Sequence, residues 1–261
     1  TPNPKPQTPN PKPQTPINMK IFSGGRFKTE KGKTILFNFH RSSASWRVRI
    51  LLNLKKMEYE YRSVNILDKE QNKSDFLQMN PSGLVPALYV DDILLTESMA
   101  IAEYLEETRP NPPLLPSTPA ERAIVRRICE HVNSGMQPMQ NLRVLDKINE
   151  DYKADKVEWA TYWNKFGHDS LEKILSHTAG TYAFGDNLTL ADVFIYPQLM
   201  NGIQRYGVRK DDYVHLKRVF DNLLKLDAFR NSEPDKQPDG KKKEAPKQTP
   251  PADSSTPVPP N

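Results

Sequence analysis

Thr34-Ile-Leu-Phe-Asn-Phe-His-Arg-Ser-Ser-Ala-Ser-Trp-Arg-Val-Arg-Ile50 reads as a strand that runs straight into a helix. Thr34–Phe39 is apolar and aromatic enough for a short strand. Arg41-Ser42-Ser43-Ala44-Ser45 then offers several helix N-cap candidates. Val48, Leu51, Leu52 and Lys55 follow at helical spacing, with Ile50 and Leu54 widening the apolar face.

Downstream, Tyr59–Asn65 alternates like a second strand. Glu70–Met79 has the makings of a short helix stopped by Asn80-Pro81. Ala87–Val90, Asp91-Asp92 and Ile93–Leu95 predict a hairpin, and Glu97–Thr108 a helix with Met99, Ile101, Ala102 and Leu105 inward. The order strand, helix, strand, helix, hairpin, helix makes 34–109 an α/β unit. Residues 110–118 are too Pro-rich for an element and read as a linker. In 119–231 no strand is evident; Glu121–Asn133, Val157–His177 and Tyr213–Leu226 have helical periodicity, so this part is expected to be all-α. Thr189 and Asp192 form a capping-box pattern, with Leu188 and Val193 as its hydrophobic staple. Asp192 therefore reads as structural rather than as a catalytic acid.

Both ends differ in composition. Residues 1–33 open with a seven-residue unit written twice, Thr1–Gln7 and Thr8–Gln14. Residues 232–261 are rich in Pro and Lys. Such segments bury too little apolar surface to offset chain entropy, so 1–33 and 232–261 are expected to be disordered. The first 33 residues carry seven Lys/Arg against one acid, more than the whole net charge of +5, which leaves the folded part near neutral and argues against nucleic acid as a partner. A single cysteine, Cys129, excludes an internal disulfide and fits a reducing, cytoplasmic setting. Met19–Lys33 is basic, as a mitochondrial presequence would be, although Glu30 interrupts it. No apolar run approaches the ~20 residues that cross a bilayer, so no membrane partner is expected, and no Cys/His cluster suggests a metal.

The strand-to-helix turn at Arg41-Ser42-Ser43 puts hydroxyls and free helix amides at one point, where an anion or a thiolate could sit. On spacing alone the plainer reading, that the two serines only cap a helix, is the favoured one. Pro86 enters a strand; a cis bond there would turn the Val85 backbone outward to pair with a peptide-like ligand. Glu97-Ser98 opens a helix, with Glu97 suited to an ammonium group and Ser98 to a carboxylate. A peptide with a central thiol and an amino-acid head would meet all three places, and glutathione has that shape.

Ser42-Ser-Ala-Ser-Trp-Arg-Val-Arg-Ile50 resembles the signature of the zeta class of glutathione transferases. The likeness continues through Val85-Pro86, Glu97–Ile101, Ala102–Pro110, Gly135–Leu142 and Gly185–Asp192, and ends near Gln237-Pro-Asp239. It implies a thioredoxin-like N-terminal domain, an all-α C-terminal domain and a homodimer. It implies glutathione as the cofactor and a small-molecule substrate, with isomerisation of maleylacetoacetate to fumarylacetoacetate in phenylalanine and tyrosine catabolism. Ser42, with Ser43 nearby, would activate the thiol. Gln71, Val85, Pro86, Glu97, Ser98, Gln137 and Asn141 would hold glutathione, and Arg41 and Arg205 a substrate carboxylate. Arg47 and Arg49 read as surface or dimer-interface charges. His40 and Cys129 read as structural, and Trp159 and Trp163 as helix packing.

Two positions depart from the family. Ala44 replaces its cysteine, which removes the sulfur needed for a mixed disulfide with glutathione. Glu97 stands where glutamine is common, and still offers a partner to an ammonium group. Two rival functions share the fold: a transferase acting on α-halo acids or other electrophiles, and a glutathione-binding or scaffold protein without turnover. A third places function in the tails, with Thr1–Pro16 as a polyproline ligand.

Overall fold

The computed structural model describes residues 27–240. The seven-residue repeat of the N-terminus and most of both expected tails lie outside the described residues.

The first strand, β1 (Ile35–Asn38), is buried along its whole length. It leads into α1 (Ser43–Leu54), and the chain returns as β2 (Glu60–Ser63), parallel to β1. A 3-10 turn and a short helix, α2 (Ser74–Met79), precede β3 (Ala87–Val90) and β4 (Ile93–Thr96). The sheet order is β2-β1-β3-β4, with β3 antiparallel to both neighbours. Asp91 and Asp92 both adopt positive φ, at 50° and 61°, which lets a two-residue turn close this hairpin with the strands' natural twist. Next comes α3 (Ser98–Thr108).

The remaining helices are α4 (Pro119–Glu130), α5 (Leu142–Asp151), α6 (Lys156–Thr178), α7 (Leu190–Arg205), α8 (Val214–Leu223) and α9 (Asp227–Arg230). The helix α4 continues through a π turn, His131–Met136, and a 3-10 turn, Gln137–Gln140. The helices expected from periodicity correspond to α4, α6 and α8, while α5 has no counterpart among them. It buries only Leu145 fully, so its apolar stripe is too thin to stand out. Twelve of the sixteen residues of α7 are buried, which erases any one-sided pattern.

Asp192 accepts hydrogen bonds from the Thr189 amide at 2.8 Å and the Ala183 amide at 2.8 Å. Thr189 Oγ1 donates to it as well, at 3.0 Å. Burial raises its carboxyl to about 6, against those hydrogen bonds. The residue thus ties the start of α7 to the preceding loop.

One hydrophobic core spans the sheet and the helices, joining Leu36, Trp46 and Leu88 to Phe194, Tyr196 and Phe220. A smaller core on the sheet's other face contains Phe37, Phe76 and Tyr89. Within the expected linker, Leu114 and Leu115 are buried. A buried ion pair, Lys55–Glu106 at 2.7 Å, secures that stretch through Pro112 O and the Leu114 amide.

Order reaches beyond the expected limits at both ends. Phe27 packs edge-on to Phe37 and Phe76, so the N-terminal tail cannot be disordered as far as residue 33. Likewise Ser232 and Gln237 are buried, so disorder does not begin at 232. Both segments are too polar to bury themselves; partners far away in the sequence hold them. Among the described residues no helix is long and apolar enough to cross a membrane.

Candidate active site

A cavity of about 690 Å³ opens where the C-terminal ends of the sheet's parallel strands meet the loop after α4 and the end of α7. A second cavity of about 120 Å³ adjoins it and shares Val85 and Gln137 in its wall. Ser42, Ser43, Gln71, Asn141, Arg41 and Arg205 line the larger one. Pro86, Glu97 and Ser98 line the smaller, with Ala44.

Ser42 is the N-cap of α1, in extended conformation, and its Oγ accepts the Ser45 amide hydrogen at 3.2 Å. Its hydroxyl proton therefore remains to donate toward the cavity, beside the positive end of the helix. Ser43, the first residue of α1, is buried and lines the same cavity. The turn that presents Ser42 is held from below by Arg49, whose guanidinium donates to His40 O at 2.8 Å, Asn38 Oδ1 at 3.1 Å and Ser232 O at 2.9 Å. Trp46 Nε1 donates to Ser232 Oγ at 2.7 Å.

Beyond Ser232 the chain crosses to the strand edge, where Asp239 accepts from Ser63 Oγ at 2.8 Å, from the His40 amide at 3.2 Å and from Tyr61 Oη. Burial alone would raise that carboxyl, and these bonds hold it below its ordinary value. His40 Nδ1 lies 3.4 Å from the same carboxylate. His40 is thus part of the support under the turn.

Arg47 and Arg49 are both fully buried, which corrects their reading as surface or interface charges. Charged helix residues are nearly always solvated, and only the packing of α1 beneath α7 and the C-terminal segment reverses that here. Cys129 lies in the core, where burial pushes its thiol well up. Trp159 and Trp163 pack against each other with centroids 5.7 Å apart.

Opposite Ser42, Arg205 Nη2 donates to Arg41 O at 3.4 Å, and neither arginine has a carboxylate partner among the described residues. Burial, then repulsion from Arg41, lowers the Arg205 guanidinium below its ordinary value. Two unneutralised cations facing one cavity are suited to an anion.

The remaining wall is polar. Gln71 Oε1 is buried without a hydrogen-bond partner. Gly83 lets this wall close: its φ is +59°, and a Cβ there would lie 3.3 Å from Gln71 O and Asn72 Oδ1. Val85 precedes a cis peptide bond to Pro86, and its backbone stands outside the β3 ladder. Asn141 caps α5, its Oδ1 accepting the Arg143 amide at 3.1 Å, so its side-chain NH2 is left for the cavity. At the smaller cavity Glu97 is held at φ 66°, ψ 116°, a costly conformation for a residue with a side chain, and it sits immediately before α3.

Residues not anticipated from sequence also line the larger cavity, notably Phe39, Gln140, Asn201 and Tyr206. Gln140 belongs to a closed ring of amides: it donates to Gln198 at 2.8 Å, Gln198 to Asn164 at 3.1 Å, and Asn164 back to Gln140 at 3.0 Å. Three elements supply this ring, and no local sequence pattern marks it.

Residues 32–107 match the family described as Glutathione S-transferase, N-terminal domain. The chain is 43% identical to a maleylacetoacetate isomerase of Mus musculus over 212 residues, 80% of this chain and 96% of the mouse protein. It is 43% identical to a zeta-class glutathione S-transferase of Euphorbia esula over 210 residues, 80% of this chain and 93% of the plant protein. A crystal structure of maleylacetoacetate isomerase from Anaeromyxobacter dehalogenans, with glutathione (GSH) bound in its active site, superposes with a TM-score of 0.73 at 42% identity, covering 80% of this chain and 98% of that one. Thioredoxin-like sheet, helical second half and long, near-complete matches agree: the chain belongs to the zeta class of glutathione transferases, the family of the maleylacetoacetate isomerases.

Proposed function

We propose that this protein is a glutathione-dependent cis–trans isomerase that converts maleylacetoacetate to fumarylacetoacetate, a step of phenylalanine and tyrosine catabolism. The observation that carries this reading is the pairing, across one cavity, of the Ser42 hydroxyl at a helix N-terminus with the unneutralised Arg41 and Arg205. The first suits a thiolate and the second a carboxylate of an enedione substrate.

Glutathione fits the residues present. The unpartnered Gln71 Oε1 and the free Val85 backbone are groups that a peptide satisfies. Glu97 and Ser98 match an ammonium and a carboxylate, and Pro86, Gln137 and Asn141 complete the enclosure. When bound, glutathione supplies a thiolate for reversible addition to the cis double bond, which frees that bond to rotate before elimination. Ser42 donates a hydrogen bond that favours the ionised sulfur, and the first amides of α1 add positive potential. Arg41 and Arg205 orient the substrate and offset its charge. Region 34–109 is the glutathione-binding unit, joined through 110–118 to a helical unit, 119–231, that contributes the substrate side. We further assign a cytoplasmic homodimer.

Turnover of maleylacetoacetate measured with and without glutathione tests the reading. Isomerisation that needs added glutathione is expected, and a rate indifferent to it would remove the thiol from the chemistry. Ala44 at the smaller cavity, in place of the family's cysteine, supports a second reading: a glutathione-binding protein without turnover. Retention on glutathione resin together with no isomerase rate is its signature.

A further inference from the structure

Arg47 is fully buried on α1, yet no carboxylate bonds to it. Its Nη1 donates to Ser98 Oγ at 3.0 Å and to Asn133 Oδ1 at 2.7 Å. Its Nε and Nη2 have no hydrogen-bond partner. The Phe194 ring, 4.6 Å from the guanidinium carbon, offers partial compensation. The carboxylate of Glu130 is reached only through Asn133, whose Nδ2 lies 3.4 Å from it. A buried cation left this incompletely neutralised is costly. Ser98 and Asn133, the two residues it does bond, both line the smaller cavity with Glu97.

That juxtaposition has a direction. Because Ser98 Oγ accepts from Arg47, the serine proton is directed elsewhere, and the cavity is the open side. The leading amides of the eleven-residue helix α3 begin at the same serine. Guanidinium, hydroxyl and helix terminus thus add up to a positive floor, and Glu97 lines the same cavity.

We propose that Arg47 is a positioning residue for the α-carboxylate of the γ-glutamyl group of glutathione: it fixes the Ser98 hydroxyl as a donor, and that carboxylate supplies the negative charge the buried guanidinium lacks. This rests on the glutathione reading above and adds to it a residue outside the cavity walls. Arg47 therefore serves binding of the amino-acid head rather than the thiol step.

Calorimetry with two ligands tests it: glutathione, and an analogue in which a hydrogen replaces the γ-glutamyl α-carboxylate. Arg47→Met, checked for folding by circular dichroism, is expected to weaken glutathione binding about tenfold or more, the worth of a hydrogen bond to a charged group, while affinity for the analogue stays at the parent's value. Equal loss for both ligands would make Arg47 merely structural, and unchanged binding of both would remove it from recognition; either overturns the proposal. Should Arg47→Met not fold, Arg47→Gln takes its place in the same comparison, since it removes the cation but keeps a polar side chain, and the same outcomes support or overturn the proposal. Failure of the unmodified protein to bind glutathione would instead overturn the reading on which this one stands.

Discussion

Ser42 Oγ accepts the Ser45 amide at 3.2 Å, so capping and donation are separate uses of one hydroxyl. Ser42→Ala removes both. It is expected to lower kcat about 100-fold or more, as loss of a preorganised donor does, and to return the bound thiol toward its free pKa of ~8.5. Steady-state kinetics and thiolate absorbance against pH check this; an unchanged profile would remove Ser42 from thiol activation. His168 is a residue of another kind. It is fully buried, its Nδ1 donates to Asn164 O at 2.7 Å, and burial lowers its imidazole to about 4. The unfolded chain takes up a proton at about 6.5 that the native imidazole refuses until about 4. Stability from this group is therefore full above the upper value and declines as pH falls toward the lower, by at most about 1.4 kcal/mol per pH unit. His168→Gln is expected to flatten that decline. Denaturant midpoints of parent and variant across the window, compared as a difference, measure it.

The connection between α4 and α5 brings Gln137 and Asn141 to the cavity; Val132 and Met136 bury its first part, and the part after Met136 is mostly polar. Its anchor is the amide ring of Gln140, Gln198 and Asn164, buried where α6 and α7 approach the loop. Replacing Gln198 by Met strands Gln140 Nε2 and Asn164 Oδ1 without partners. A loss of ~2–4 kcal/mol in stability is expected, with a raised KM for glutathione as the loop loosens. Chemical denaturation and kinetics read the two effects separately. A stable variant with an unaltered KM would show that the loop is held by something else. The helix α1 shows the same economy: besides its core residues, Trp46 and Arg49 reach Ser232, and Arg47 reaches Ser98 and Asn133.

Across the molecule, residues 232–240 run from the helical half back to the strand edge and close over the base of the turn that carries Ser42. Trp46 and Arg49 hold Ser232, and Tyr61, Ser63 and His40 hold Asp239. Ending the chain at residue 231 leaves the Arg49 Nε buried without its acceptor and frees the turn that carries Ser42. A loss of about 3 kcal/mol or more is expected, with a lower Tm and a lower kcat. Ending it at residue 240 should change neither. Thermal melts and turnover of the two truncations make the comparison; equal behaviour would relegate the segment to an ordinary tail.

Legibility followed interaction range. The β1–α1 turn, the Asp91-Asp92 hairpin and the Thr189–Asp192 box could be read from residues alone, because each is decided by contacts within a few positions. So could the α/β-then-α order, which needs only hydrophobic periodicity. The roles proposed for Gln137, Asn141 and Arg205 came through likeness to a family and not from local physics, since the rest of the cavity lies far away in the sequence. Three matters waited for tertiary structure: the burial of Arg47 and Arg49, the ordering of 27–33 and 232–240, and the helix at 142–151. In each the local composition is polar, and the free energy comes from hydrogen bonds or packing supplied by distant segments, which no window of sequence contains.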